Sequence, residues 1–313
     1  MSIKCAFLFP GQGSQSTGMG QDFFNNSDVA KQMLTEASAK TGIDFENLLF
    51  EENDNLGKTE FTQPAILLVG AMAHKLFTDA TNITPALTMG HSLGEFTALV
   101  AAGALDAVDA VELVNLRGQL MAEACSKQEV GMMVSLGLSD EAVEELCAAQ
   151  REAGLQVWAV NYNADGQIVI AGIKKDLELL APMVKDAGAK RAMLLDMSVA
   201  SHCPLLESAS APLEAKLQEM LKDDFIAAVI SNVTAKAYNT KAEALELLPQ
   251  QLVKPVLYKH SMANIDDEVD CYIEFGNGNV LKGLNRKATK KPHFNVSDMA
   301  SLEATISAIK ELS

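Results

Sequence analysis

The chain has 313 residues, 48% hydrophobic and only 5% aromatic, enough to bury one large core or a large and a small one, and better suited to an α/β than an all-β protein. Its formal charge of −16 argues against a nucleic-acid partner, because phosphate backbones demand a basic surface. No apolar run approaches the roughly 18 residues that span a bilayer. The longest, residues 65–73, is stopped by His74 and Lys75, and residues 5–9 are too short for a secretory signal before Pro10 and Gly11. Cys5, Cys125, Cys147, Cys203 and Cys271 are odd in number and lack C-x-x-C spacing. They read as reduced thiols of a cytoplasmic protein rather than a disulfide frame or zinc site.

In chain order, residues 5–9 form an apolar strand that runs into Gly11-Gln12-Gly13-Ser14-Gln15. A second strand, residues 86–89, runs into Gly90-His91-Ser92-Leu93-Gly94 and then a helix to Ala102. Strand, glycine turn, helix is the unit of a parallel α/β sheet. Asp106 caps a helix reaching Ala124. The next stretch changes character. Residues 132–138 are strand-like, and Ser139 caps a helix to Arg151 with Glu141 and Glu144 in its first turns. Two strands, residues 156–161 and 167–171, flank the turn signal Asp165-Gly166. A helix over residues 175–187 closes at Gly188, and residues 191–197 form a last strand. The order βαββαβ is ferredoxin-like. The expectation is a ferredoxin-like domain over residues 126–197, inserted into a discontinuous α/β domain of residues 1–125 and 198–313. Against the acidic background, Lys282, Arg286, Lys287, Lys290 and Lys291 follow one another with no acid between them.

Gly90-His91-Ser92-Leu93-Gly94 fits the G-x-S-x-G elbow, in which a crowded turn lifts a serine hydroxyl to the sheet top and the following helix aims its amides at a developing oxyanion. Ser92 needs a base, and five histidines compete. His74 shares a helix face with Leu67 and Ala71 and reads as structural. The side chain of His91 should point away from its neighbour on the elbow. His260 and His293 lie in charged segments and read as solvated. His202, in Ser201-His202-Cys203-Pro204 just after the inserted domain, takes the lead. Arg117 falls among Ala110, Leu113, Val114, Leu120, Met121 and Ala124 on the apolar stripe of its helix. A charge there needs a carboxylate, supplied either by an internal salt bridge or by a ligand that the guanidinium clamps.

Taken together, these residues resemble the malonyl-CoA:acyl carrier protein transacylase family along nearly the whole chain. The matching segments are Phe9-Pro10-Gly11-Gln12-Gly13-Ser14-Gln15, Thr62-Gln63-Pro64-Ala65, Gly90-His91-Ser92-Leu93-Gly94-Glu95, Arg117-Gly118, Asn161-Tyr162-Asn163, Ser201-His202-Cys203, Gln251-Leu252 and Glu274-Phe275-Gly276-Asn277-Gly278. Order and spacing carry the likeness. It implies an α/β-hydrolase-like domain with a ferredoxin-like insertion, and ping-pong transfer of malonyl from coenzyme A to a carrier protein for fatty-acid synthesis. By the same resemblance, Ser92 is the nucleophile and His202 its base. Gln12 and the N–H of Leu93 form the oxyanion hole, Arg117 pairs with the malonyl carboxylate, and the Gln251 carbonyl orients the histidine, with Gln250 adjacent. No metal or cofactor is implied; the acceptor carries phosphopantetheine. An acidic carrier would need a local basic patch, for which Lys282, Arg286 and Lys287, with Lys190 and Arg191, are the candidates. The segment Val199-Ala200-Ser201-His202 lies where related domains vary with substrate and leaves malonyl against methylmalonyl, and fatty-acid against polyketide synthesis, open. Asn277 stands where the family often has proline.

Two other classes share parts of this pattern. A serine esterase has the same elbow, with Asp186 or Asp196 available as the acid between nucleophile and histidine. A nucleotide-binding module would use the glycines after the first strand, but Gly11-Gln12-Gly13-Ser14-Gln15-Ser16 lacks the third glycine of the dinucleotide fingerprint and the lysine of a P-loop.

Overall fold

β1 (Cys5–Phe9) is buried along its whole length, as a strand must be when helices cover both faces of its sheet. It belongs to a computed structural model that describes residues 3–312; residues 1, 2 and 313 of the expected outer domain lie outside the described residues. The remaining strands are β2 (Leu87–Gly90), β3 (Val130–Leu136), β4 (Val157–Ala164), β5 (Gln167–Ile173), β6 (Arg191–Leu194), β7 (Ala228–Ile230), β8 (Ala237–Tyr238), β9 (Cys271–Phe275) and β10 (His293–Val296).

They form two sheets. The first has the order β10-β9-β1-β2-β7-β8 and is parallel except for β8, which returns antiparallel to β7. The second has the order β4-β5-β3-β6 and is antiparallel throughout, the ferredoxin-like arrangement. The fold is thus α/β-hydrolase-like with a ferredoxin-like sheet between β2 and β7. The long apolar run of residues 65–73 lies inside the helix Thr59–Thr81, buried against the first sheet, and His74 on that helix meets the rings of Phe7, Phe9 and Phe275 edge-on. Among the described residues no helix is long and apolar enough to cross a membrane.

The second sheet turns one face to the helices Asp140–Glu152 and Lys174–Asp186, burying Met133, Val143, Cys147, Ile170, Leu177 and Val184. From its other face, Met132 and Val169 join the main core. The two bodies are stitched through main chain: the Tyr162 N–H donates to the Val256 carbonyl at 2.9 Å, and the Val256 N–H to that of Val160 at 2.8 Å. Lys259 adds ion pairs to Asp140 at 2.7 Å and Asp165 at 3.2 Å. The expected last strand, residues 191–197, ends at Leu194 instead. Beyond it the backbone folds on itself, Met197 N–H to Leu195 C=O at 2.9 Å, and both side chains turn to a cleft between the sheets.

The helix Ala107–Cys125 starts where Asp106 accepts from the N–H groups of Val108 and Asp109, which fixes its phase. Gly118 lets it lie directly on the start of the helix Thr59–Thr81: a Cβ at that position would be 2.5 Å from the Cα of Glu60. This contact sets how deep Arg117 sits. Gly118→Ala should therefore cost about 1–3 kcal/mol of unfolding free energy by forcing the helices apart. Urea unfolding measures this, and an unchanged midpoint would show that the contact is slack.

Candidate active site

The carboxyl ends of β1, β2 and β7 bring together Gln12, Ser92 and Asn232, where ligands bind in open parallel sheets. Ser92 follows β2 with φ 52°, a left-handed conformation costly for a residue with a Cβ. The turn closes because its glycines touch: a Cβ on Gly90 would lie 1.9 Å from the carbonyl carbon of Gly94, and one on Gly94 would lie 2.0 Å from the oxygen of Phe9. The helix Gly94–Ala101 starts immediately afterwards.

His202, also left-handed at φ 63° and 2% exposed, reaches Ser92 from the segment after β6. Its Nε2 is 2.8 Å from Ser92 Oγ and its Nδ1 is 2.6 Å from the main-chain oxygen of Gln251. A carbonyl only accepts, so Nδ1 carries the proton and Nε2 is the free lone pair facing the serine hydroxyl. Burial, with Arg117 nearby, pushes the imidazole down to about 3, so it is neutral. Asp186 and Asp196 are solvent-exposed, and neither bonds the histidine.

Arg117 is 1% exposed. Its Nη1 donates to Gln63 Oε1 at 2.6 Å, and its Nη2 donates to Gln251 Oε1 at 3.0 Å and to Ser92 Oγ at 3.3 Å. Nε has no partner, and the guanidinium lies 5.2 Å from the Phe96 ring centroid. No carboxylate of the described residues pairs with it directly. Burial pulls its pKa to about 10, partly offset by Glu95, so it stays charged near neutral pH. Of the two origins open for its counter-charge, a direct internal salt bridge is ruled out.

Gln12 is tied to the same network: Gln63 Nε2 donates to Thr59 Oγ1 at 2.8 Å, and Thr59 Oγ1 donates to Gln12 Oε1 at 3.0 Å. The backbone N–H groups of Gln12 and Leu93 border the cleft without an acceptor among the described residues. The site can therefore take a proton from Ser92, hold an oxyanion and hold a second anion at Arg117.

His91 makes no bond to the Ser92 hydroxyl; it lines the same cleft, and its Nε2 pairs with Asn163 Oδ1 at 2.7 Å across to β4. His293, read as solvated, is instead nearly buried. It lies in β10 beside β9, 3.8 Å from the buried Glu274, and burial lowers it to about 4. Val280, Leu281 and Leu284 of the short helix Val280–Asn285 also wall the cleft, while Lys282, Arg286 and Lys287 are exposed on and just after it. Lys291 instead donates to the carbonyls of Asp266 and Val269. Gln63, Glu95 and Asn232 were not assigned roles from sequence. Glu95 had a readable signal, a lone charge in the otherwise apolar and uncharged helix Gly94–Ala101; Asn232, just after a three-residue strand, had none.

The fold and the residues gathered at its cleft point to an acyltransferase on an α/β sheet. An acyl transferase domain model matches residues 6–308. The malonyl CoA-acyl carrier protein transacylase of Bacillus subtilis (strain 168) is 39% identical over 311 residues, covering 98% of each chain. The crystal structure of malonyl-CoA:acyl carrier protein transacylase from Helicobacter pylori superposes with a TM-score of 0.96 at 43% identity, covering 100% of both chains. A type II PKS acyl-carrier protein in complex with its malonyl-transacylase gives 0.93 at 36% identity, covering 97% of this chain and 99% of that one. The chain belongs to the malonyl CoA-acyl carrier protein transacylase family.

A neutral imidazole 2.8 Å from Ser92 Oγ should keep the hydroxyl reactive well below the ordinary histidine range. Sulfonylation by phenylmethanesulfonyl fluoride should hold from about pH 8 to about pH 5, where a solvent-like histidine would lose about 30-fold. A fall centred on 6.5, the ordinary histidine value, would show that the imidazole protonates as in water.

Proposed function

We propose that this chain transfers malonyl from coenzyme A to an acyl carrier protein through a malonyl ester on Ser92, supplying fatty-acid synthesis. The observation that carries the reading is the 3.3 Å contact between Ser92 Oγ and a buried guanidinium with no carboxylate of its own. A relative named for this reaction, 39% identical over 98% of the chain, supports it.

In this reading Ser92 Oγ attacks the thioester carbonyl as its proton passes to His202 Nε2. The N–H groups of Gln12 and Leu93 hold the oxyanion; one such donor is typically worth about 10²–10³ in rate. The C–S bond breaks, and coenzyme A leaves with the proton from the imidazolium. The carrier's phosphopantetheine thiol then gives its proton to His202 and attacks the ester, and Ser92 recovers its hydrogen as it departs. A thioester is already activated, so no metal or further cofactor is invoked. Arg117 takes the malonyl carboxylate. Acetyl-CoA leaves the guanidinium unpaired, which makes the buried cation a selectivity device.

An esterase acting through an Asp–His–Ser triad is disfavoured, because a main-chain carbonyl occupies His202 Nδ1. The proposed carrier site is the exposed Lys282, Arg286 and Lys287 beside the cleft, with Lys190 and Arg191 on the inserted unit, residues 126–197. The odd, scattered cysteines favour a reducing, cytoplasmic setting.

Mixed with malonyl-CoA, the protein should gain one malonyl on the peptide holding Ser92, seen by mass spectrometry, absent in Ser92→Ala and discharged by holo-carrier. Rapid release of malonate without carrier would make it a hydrolase instead. Arg117→Ala should lose at least about 100-fold in malonyl transfer while acetyl transfer changes far less; equal loss of both in a folded variant contradicts the clamp. Reversing charge at Arg286 and Lys287 should raise the KM for carrier several-fold and leave acylation by malonyl-CoA intact. An unchanged KM rejects that surface.

A further inference from the structure

Both polar groups of the Ser92 backbone are held by side chains distant in sequence. Its N–H donates to Asn232 Oδ1 at 2.6 Å, and its C=O accepts from Gln251 Nε2 at 3.1 Å. Asn232 Nδ2 donates to the Gly90 carbonyl at 2.7 Å, so one amide braces the elbow at two points. The two residues meet on a single oxygen: Glu95 Oε2 accepts from the Asn232 N–H at 3.0 Å and from Gln251 Nε2 at 2.7 Å. Glu95 Oε1 accepts from the Tyr238 hydroxyl at 3.1 Å. Glu95, Asn232 and Gln251 are at most 1% exposed. They come from the elbow helix, the loop after β7 and the helix Lys241–Gln251, so no local structure fixes their meeting.

We propose that Glu95 is a positioning residue for acyl transfer, holding the strained backbone of Ser92 and the guanidinium of Arg117 through Asn232 and Gln251. The inference rests on Ser92 being the acyl acceptor. Glu95 Oε2 accepts from both the Asn232 N–H and Gln251 Nε2, and it therefore helps decide which way the Gln251 amide faces. With Nε2 drawn to Glu95, Oε1 must face Arg117 Nη2, as it does at 3.0 Å. Without that acceptor the amide is left with the Ser92 carbonyl and the guanidinium, and its position loosens. The main-chain oxygen of the same residue orients His202, so a shift at Gln251 reaches base, nucleophile and clamp together. The arrangement also removes the Ser92 N–H from the oxyanion hole and leaves that task to Gln12 and Leu93.

The test uses Glu95→Gln, Glu95→Ala, Asn232→Ala and the double variant Glu95→Ala/Asn232→Ala. A glutamine at 95 keeps both inner bonds through its oxygen, and its amide nitrogen donates to a Tyr238 hydroxyl that rotates to accept. Wild-type protein is first shown to form malonyl-Ser92; if it does not, the acyl-acceptor reading fails before any variant is compared. The single-turnover rate of malonyl-Ser92 formation is then measured per folded molecule, alongside sulfonylation by phenylmethanesulfonyl fluoride. Glu95→Ala and Asn232→Ala should each slow both reactions by about 100-fold, while Glu95→Gln stays within about 10-fold of wild type. The double variant should be no slower than the slower single one, because both act through one stretch of backbone. Wild-type rates in either alanine variant, a glutamine variant as slow as alanine, or losses that multiply in the double variant would each overturn the assignment. Should Glu95→Ala not fold, the rates of Asn232→Ala and Glu95→Gln still decide by the same criteria.

Discussion

A guanidinium held out of water with no carboxylate touching it is the constraint around which this site is built. Such a charge costs several kcal/mol unless hydrogen bonds and counter-charge compensate. Arg117 has the amide oxygens of Gln63 and Gln251, the hydroxyl of Ser92 and the face of Phe96, and its Nε is left without a partner. The nearest negative charge that bears on it, Glu95, acts through the intervening Gln251 amide. Dipoles keep the cation in place without neutralising it. In the proposed reaction the malonyl carboxylate therefore meets a charge that is already desolvated, and little reorganisation remains to be done when it binds.

The same economy governs the serine and its histidine. Ser92 and His202 are two of only four non-glycine residues with positive φ among those described, and they are the two that meet at 2.8 Å. Backbone strain of this kind persists only where the surroundings over-determine it. Here the surroundings are the glycine contacts of the elbow on one side and the Asn232–Glu95–Gln251 bonds on the other. Glu95 itself is strained electrostatically. Burial pushes its carboxyl up to about 7, and three donors from Gln251, Asn232 and Tyr238 pull it back toward ionisation. Between its ordinary value of 4.5 and 7 the folded chain holds a proton that the unfolded chain releases, so this group favours folding as pH falls through that window. The buried His202 has the opposite sign: below 6.5 the unfolded chain takes up a proton that the folded one refuses until about 3.

What the sequence disclosed follows from how local each signal is. The elbow was readable because its glycines, strand and helix lie within a dozen residues, and the second sheet because Asp165-Gly166 and Ser139 punctuate it. Arg117 was readable because Asp106 sets the phase of its helix, which places the charge among apolar neighbours. The same reasoning marks Glu95 in its apolar helix. Asn232 carried no signal, since its role exists only where β7 lies beside β2. His293 was misplaced for a related reason. Neighbouring residues describe a side chain's own element, whereas Glu274 reaches this ring from the adjacent strand.

The histidine's partner explains why the two halves of the site are compatible. Gln251 gives its main-chain oxygen to His202 and its side-chain oxygen to Arg117, so a single residue neighbours both the imidazole and the cation. A carboxylate there would orient the imidazole as well as a carbonyl does, but it would also pair with the guanidinium. In the proposed reaction that pairing would neutralise the cation and repel the malonyl carboxylate that Arg117 is there to receive. A neutral carbonyl fixes the tautomer without bringing a charge. A serine site that must admit a second anion thus has reason to dispense with the triad acid, and the lower basicity of its histidine is offset by an acyl donor that is already a thioester.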